Sequence, residues 1–267
     1  MELDRNTSSV VKPMAQVGLI AKGFVYCLLG VLVFMAAFHI NGQSTNDVDK
    51  AGVFSTIMDW KGGKIILGLL ILGLICYSIW RVIQAFGSSG EKDNRKISIA
   101  VKIRYFFSGL VYASLSLFAI KMLFFDDKGS GDNKQDMVQS LLNKWYGQWA
   151  VGLVALIFIG VGIYQIYYGL SEKYRKHASM HRNNNEQILL IAGKVGYIAR
   201  GIVWLIIGWL FVKAALHSNS SEAGDTSEAF GFLSESDYGT YLLAAMGVGL
   251  LCYGLFNFIR VRYDRML

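Results

Sequence analysis

The stretch GYIARGIVWLIIGWLFVKAAL, residues 196–216, decides how this chain is read. Wound as an α-helix it rises about 30 Å, the thickness of the hydrocarbon layer of a bilayer. Apart from Arg200 and Lys213 its side chains are apolar, aromatic or small. Arg200 lies more than a turn inside the run, so a permanent charge is held where an uncharged residue is expected. Outward from this stretch, runs of the same character recur, and residues 17–39, 64–87, 103–124, 149–170, 188–216 and 240–260 all qualify as membrane spans. Hydrophobic residues make up 54% of the chain and the mean hydropathy is +0.39, well above a soluble domain's apolar share. The segments between the spans are too short to form a separate soluble core.

Two other runs match the opening stretch position by position: GLIAKGFVYCLLGVLVFMAAF from 18 and RYFFSGLVYASLSLFAIKMLF from 104. Gly23, Gly109 and Gly201 coincide, followed three residues later by Tyr26, Tyr112 and Trp204, and seven residues later by Gly30, Ser116 and Gly208. The alternate spans share a weaker mark, in which Gly73, Gly160 and Gly249 precede Tyr77, Tyr164 and Tyr253 by four. Such a period marks a repeated supersecondary unit, here a helical hairpin. Each unit has an even number of spans, so all copies share one orientation, the arrangement expected around an axis along the membrane normal. The first run follows Lys12 and has small residues at Ala36 and Ala37, as a secretory signal would; its internal copies argue against cleavage.

The cation-Gly-x-x-aromatic step, KGFVY at 22–26 and ARGIVW at 199–204, resembles a family of bacterial membrane proteins known as a domain of unknown function. In that family three tandem two-helix repeats make six spans. The resemblance covers nearly the whole chain and implies the architecture and a cell-membrane location, but no activity. Ser108 replaces the cation in the second copy.

Charge sets the topology. Of the 26 Lys and Arg, 12 fall in the N-terminal segment, the two short basic connections and the C-terminal segment, against 5 in the other three connections. By the positive-inside rule both termini are cytoplasmic, and 40–61, 125–146 and 217–238 are outside loops. The last of these has no Lys or Arg and reads as a charged, solvated loop. The basic composition thus needs no nucleic-acid partner. All 19 acidic residues lie outside the spans, which disfavours transport driven through a buried carboxylate.

Small residues recurring every seven, Gly23, Gly30 and Ala37 or Gly201, Gly208 and Ala215, read as a helix–helix seam. Lys22, Arg104 and Arg200 lie on another stripe, with Tyr26, Tyr112 and Trp204 deeper on the same stripe. They are expected about 5–8 Å below the inner boundary. Snorkelling to headgroups is the plain reading; the alternative is that they converge and hold an anion, beside rings placed for cation–π contact. Arg81 joins either arrangement. His39 and His217 are repeat-equivalent and stand as weak metal candidates, without a third ligand. His177 and His181, spaced four apart, read as a solvated basic loop. Cys27, Cys76 and Cys252 lie inside spans and read as small buried hydrophobes. No catalytic constellation appears, and no cofactor is expected.

The expectation is an all-α integral membrane six-helix bundle, a single transmembrane domain over 1–267, with repeats at about 14–87, 98–171 and 190–262 and pseudo-threefold symmetry. It is expected in the cell (cytoplasmic or inner) membrane, multi-pass, as a non-enzymatic protein that binds anionic membrane lipid or an anionic amphiphile at Lys22, Arg104, Arg200 and Arg81. An envelope or partner-scaffolding role goes with that reading. The alternative is a small channel or carrier for an anionic solute.

Overall fold

The computed structural model describes residues 2–45, 48–86, 99–125, 138–172 and 184–263. Helices α1 (Glu2–Ala37), α3 (Gly63–Phe86), α4 (Ile99–Phe125), α5 (Gly147–Leu170), α6 (Asn184–His217) and α8 (Gly239–Tyr263) are the long elements; α2 (Lys50–Met58) and α7 (Thr226–Ser234) are short. Six stretches are long and apolar enough to cross a membrane: Val11–Ala37, Gly63–Phe86, Lys102–Phe125, Gly147–Leu170, Leu190–His217 and Gly239–Val261. The helices that carry the first and fifth, α1 and α6, begin earlier than the hydropathy suggests, at Glu2 and Asn184. No strand occurs among the described residues.

The hairpins turn through short helices that the sequence reading left as loop. Asp49 caps α2 by accepting from Gly52 N at 2.7 Å. Asp225 caps α7 within a capping box, accepting from Ser227 N at 2.8 Å while Glu228 accepts from Asp225 N at 2.8 Å. Such caps satisfy the free amides of a first turn. Both helices bury a phenylalanine, Phe54 and Phe230, so 217–238 is not simply a solvated loop. Each hairpin then bends at a glycine: Gly63, Gly147 and Gly239 donate to Trp60, Lys144 and Ser236 carbonyls at 2.9, 2.8 and 2.8 Å. A Cβ at any of them would lie within 2.3 Å of a backbone oxygen, so only glycine fits the bend.

In order around the bundle the helices run α5, α6, α8, α1, α3, α4, each packed on the next. The glycine line of each odd span meets the even span of another repeat. A Cβ on Gly30 would lie 2.7 Å from the Gly247 carbonyl between α1 and α8, and one on Gly162 would lie 2.9 Å from the Gly201 carbonyl between α5 and α6. Between α3 and α4, Ser78 Oγ donates to the Gly109 carbonyl at 2.8 Å. Close backbone approach of this kind substitutes in lipid for the hydrophobic drive.

A second set of seams lies within the repeats and is present twice. Gly18 lets α1 approach the backbone of Tyr77, and Gly196 lets α6 approach that of Tyr253; Cβ atoms there would stand 2.7 and 2.6 Å away. Gly73 and Gly249 face Ala21 and Ala199 at 2.4 Å in the same way. In the middle copy Arg104 stands where Gly18 and Gly196 do, and Phe107 where Ala21 and Ala199 do. These bulkier side chains hold α4 and α5 apart. Gly160, the equivalent of Gly73, has nothing within 4 Å of where its Cβ would be.

Candidate cation–tyrosine site

The odd-span cations meet the even-span tyrosines. Lys22 Nζ donates to Tyr77 Oη at 3.1 Å, Arg104 Nη1 to Tyr164 Oη, and Arg200 Nη1 to Tyr253 Oη. Each bond lies within one repeat, so the device occurs three times. The tyrosines are the repeated mark of the alternate spans; their partnership with the cations required knowing which faces meet.

Two of the three pairs converge. Lys22 Nζ lies 4.9, 5.3 and 5.4 Å from the ring centres of Tyr77, Tyr112 and Tyr253. Arg200 lies 5.4 Å from Tyr26 and 5.0 Å from Tyr253, and the last two rings pack edge to face at 4.7 Å. The cation–π partners of Lys22 and Arg200 are thus rings on other helices, whereas the stripe pattern points to the ring one turn deeper on the same helix. Trp204 stands apart from this cluster and packs on Phe158 at 5.2 Å.

Arg81 enters the cluster, donating from Nε to Tyr77 Oη at 2.9 Å and from Nη1 to Gln84 Oε1 at 2.6 Å. Its guanidinium also lies 5.0 Å from the ring centre of Tyr105, which the Arg104 guanidinium approaches at 5.2 Å. Arg104 itself is exposed, on the rim. A second string of rings, Tyr164, Tyr168, Tyr197 and Tyr253, joins the same rim to the centre at separations of 5.9, 4.9 and 5.3 Å. Lys50, at the start of α2, reaches the Tyr26 ring at 5.9 Å from the hairpin end; a loop lysine gave no signal for this in sequence.

The electrostatics are one-sided. Lys22 is 3% exposed and lies about 16 Å along α1 from Val11, where the first apolar stretch begins. Its ammonium is held among rings of this chain. Among the described residues no carboxylate pairs with Lys22, Arg81, Arg104 or Arg200. Phenol oxygens and ring faces carry the compensation, each cation–π contact contributing about 0.5–2 kcal/mol. Arg200 Nε, Tyr112 Oη and Trp80 Nε1 are buried with no hydrogen-bond partner, an arrangement that normally costs stability unless something accepts from it.

Among the described residues no group of three His, Cys, Asp or Glu gathers. His217 Nδ1 is 2.8 Å from Glu222 Oε2, and His39 lines a separate crevice with Gln43, Ser44, Thr45, Ser234 and Thr240. His177 and His181 lie outside the described residues. Cys27, Cys76 and Cys252 are free thiols, half-buried.

Six long apolar helices in three hairpins make this a multi-pass membrane protein built by repetition. The chain belongs to the family described as Domain of Unknown Function (DUF1206), whose pattern matches it three times, over residues 17–87, 103–172 and 195–264. It is 28% identical over 267 residues to the uncharacterized protein YxxB of Bacillus subtilis (strain 168), a match covering 99% of this chain and 95% of that protein. No solved structure matches.

Proposed function

We propose that the protein is a non-enzymatic membrane protein that binds an anionic lipid or anionic amphiphile through its cation–tyrosine network. The observation that carries this is the combination of Lys22, Arg81 and Arg200 around shared phenols, with no carboxylate beside them among the described residues and with the Arg200 Nε, Tyr112 Oη and Trp80 Nε1 donors unpartnered. An intramembrane cation cluster of this kind is costly to keep and calls for a negative ligand. Charge-assisted hydrogen bonds to phosphate or carboxylate satisfy such donors. By the positive-inside rule the cluster faces the cytoplasmic leaflet of a cell membrane, where a lipid-bound protein of this size can support envelope organisation or a partner protein.

Native mass spectrometry of the purified protein tests this. Anionic phospholipid is expected to be retained in preference to zwitterionic phospholipid, and to be lost from the Lys22→Ala, Arg104→Ala, Arg200→Ala triple variant, provided that variant elutes as a monodisperse species. Equal retention by both proteins counts against the reading.

A second reading, a path for an anionic solute, has Lys50 in its favour, because that side chain brings positive charge to Tyr26 from the opposite end. It requires anion flux into liposomes that depends on Lys50. Flux at the background level of empty liposomes removes it.

A further inference from the structure

We infer that the open seam between α4 and α5 is a lateral docking groove for one anionic phospholipid, with its phosphate on Arg104 and Tyr164 and an acyl chain running past Phe107 and Gly160. This rests on the reading that the network takes anionic amphiphiles, and it names where such a molecule enters.

The groove has a definite cause in the sequence. Copies one and three close this seam with Gly18 against Tyr77 and Gly196 against Tyr253, and copy two substitutes Arg104. Equivalent positions therefore differ sharply in exposure: Tyr77 and Tyr253 are 0% and 1% exposed but Tyr164 is 41%, and Leu74 and Leu250 are 0% and 2% but Val161 is 37%. Within a bilayer the space opposite Gly160 is filled by hydrocarbon, since irregular voids forfeit dispersion contacts.

What selects the occupant is the charge at the mouth. Arg104 lies two residues inside the span Lys102–Phe125, at headgroup depth, and bonds across the seam to the Tyr164 hydroxyl. A guanidinium and a phenol side by side present donors to a phosphate monoanion above, with apolar surface below. A second copy of this chain fits less well. Inserted in the same orientation, it would bring its own Arg104 to the same depth, like charge against like charge. From the mouth, Tyr105 leads to Arg81, and Tyr168 and Tyr197 lead to Tyr253, so a headgroup on Arg104 touches the rim of the buried network.

The test uses full-length protein in mixed anionic and zwitterionic vesicles containing an anionic phospholipid with a diazirine in its acyl chain. Label is expected on the 147–170 peptide, competed by unlabelled anionic but not zwitterionic phospholipid. It should fall about tenfold in Arg104→Gln, the loss expected when a charge-assisted contact to phosphate is removed, and survive largely in Arg104→Lys. A double variant, Arg104→Gly with Phe107→Ala, restores the residues of the closed copies and should exclude the label while leaving a folded, monodisperse protein. Unchanged labelling of 147–170 in Arg104→Gln overturns the inference, and so does a dimer joined through α5 that excludes the label. If the native protein retains anionic phospholipid but the label maps elsewhere, only the groove is lost. If it retains none, the proposed function fails as well.

Discussion

Tyr77 takes two positively charged donors on one phenol oxygen, Lys22 Nζ at 3.1 Å and Arg81 Nε at 2.9 Å, without any solvent exposure. Removing that oxygen leaves the Lys22 ammonium and the Arg81 Nε without their acceptor. Tyr77→Phe is therefore expected to cost about 1–3 kcal/mol, read as a lower thermal midpoint in detergent. Tyr164→Phe, at the exposed equivalent, should change stability by less than about 0.5 kcal/mol. Equal effects would mean that the hydroxyls are incidental. The cations of this network are plain in the sequence, because each is a charge set in an apolar run. Their acceptors are not: Tyr77, Tyr164 and Tyr253 stand out as a repeat mark, yet no spacing says that they face Lys22, Arg104 and Arg200. Lys50 lies further still from what a sequence can disclose, since its reach depends on how α2 leans into the bundle.

Glycine at equivalent points of α3, α5 and α8 meets different surroundings, and substitution separates them. An alanine at Gly73 would put its methyl 2.4 Å from Ala21 Cβ and one at Gly249 the same distance from Ala199 Cβ, whereas Gly160 has open space. Gly73→Ala and Gly249→Ala are expected to destabilise by about 1–3 kcal/mol through overpacking. Gly160→Ala should be neutral or gain up to about 1 kcal/mol, because alanine is the better helix former. Thermal unfolding of the three variants in one detergent decides this; a matching loss at Gly160 would mean that α4 and α5 close in solution. The letters behind this contrast, Gly18, Arg104 and Gly196 in register, are legible in the alignment of copies. Their effect is not, because periodicity places a residue on a face without saying which helix comes to meet it. The short helices α2 and α7 escaped notice for a related reason: nine residues give too little periodicity to stand out beside spans of 23–28.

The six spans, their boundaries to within a few residues and their threefold recurrence are all readable from hydropathy and self-similarity, since lipid admits few alternatives to a helix. Orientation rests on charge alone and has a direct check. A single cysteine at Ser221, in a background with Cys27, Cys76 and Cys252 replaced by alanine, is expected to react with an impermeant maleimide added to intact cells. Reaction only after lysis would invert the assignment of both ends. The order of packing carries one more consequence. Chain connectivity joins α4 to α5, where contact is slight, while α1 and α8, at opposite ends of the sequence, share a close glycine seam and the contacts of Lys22 and Tyr26 with Tyr253. During synthesis α1 has α3 beside it early but must wait for the last helix before its second partner exists. Two separately translated halves, divided between residues 126 and 137, would each keep their own neighbours and still recognise one another through that junction.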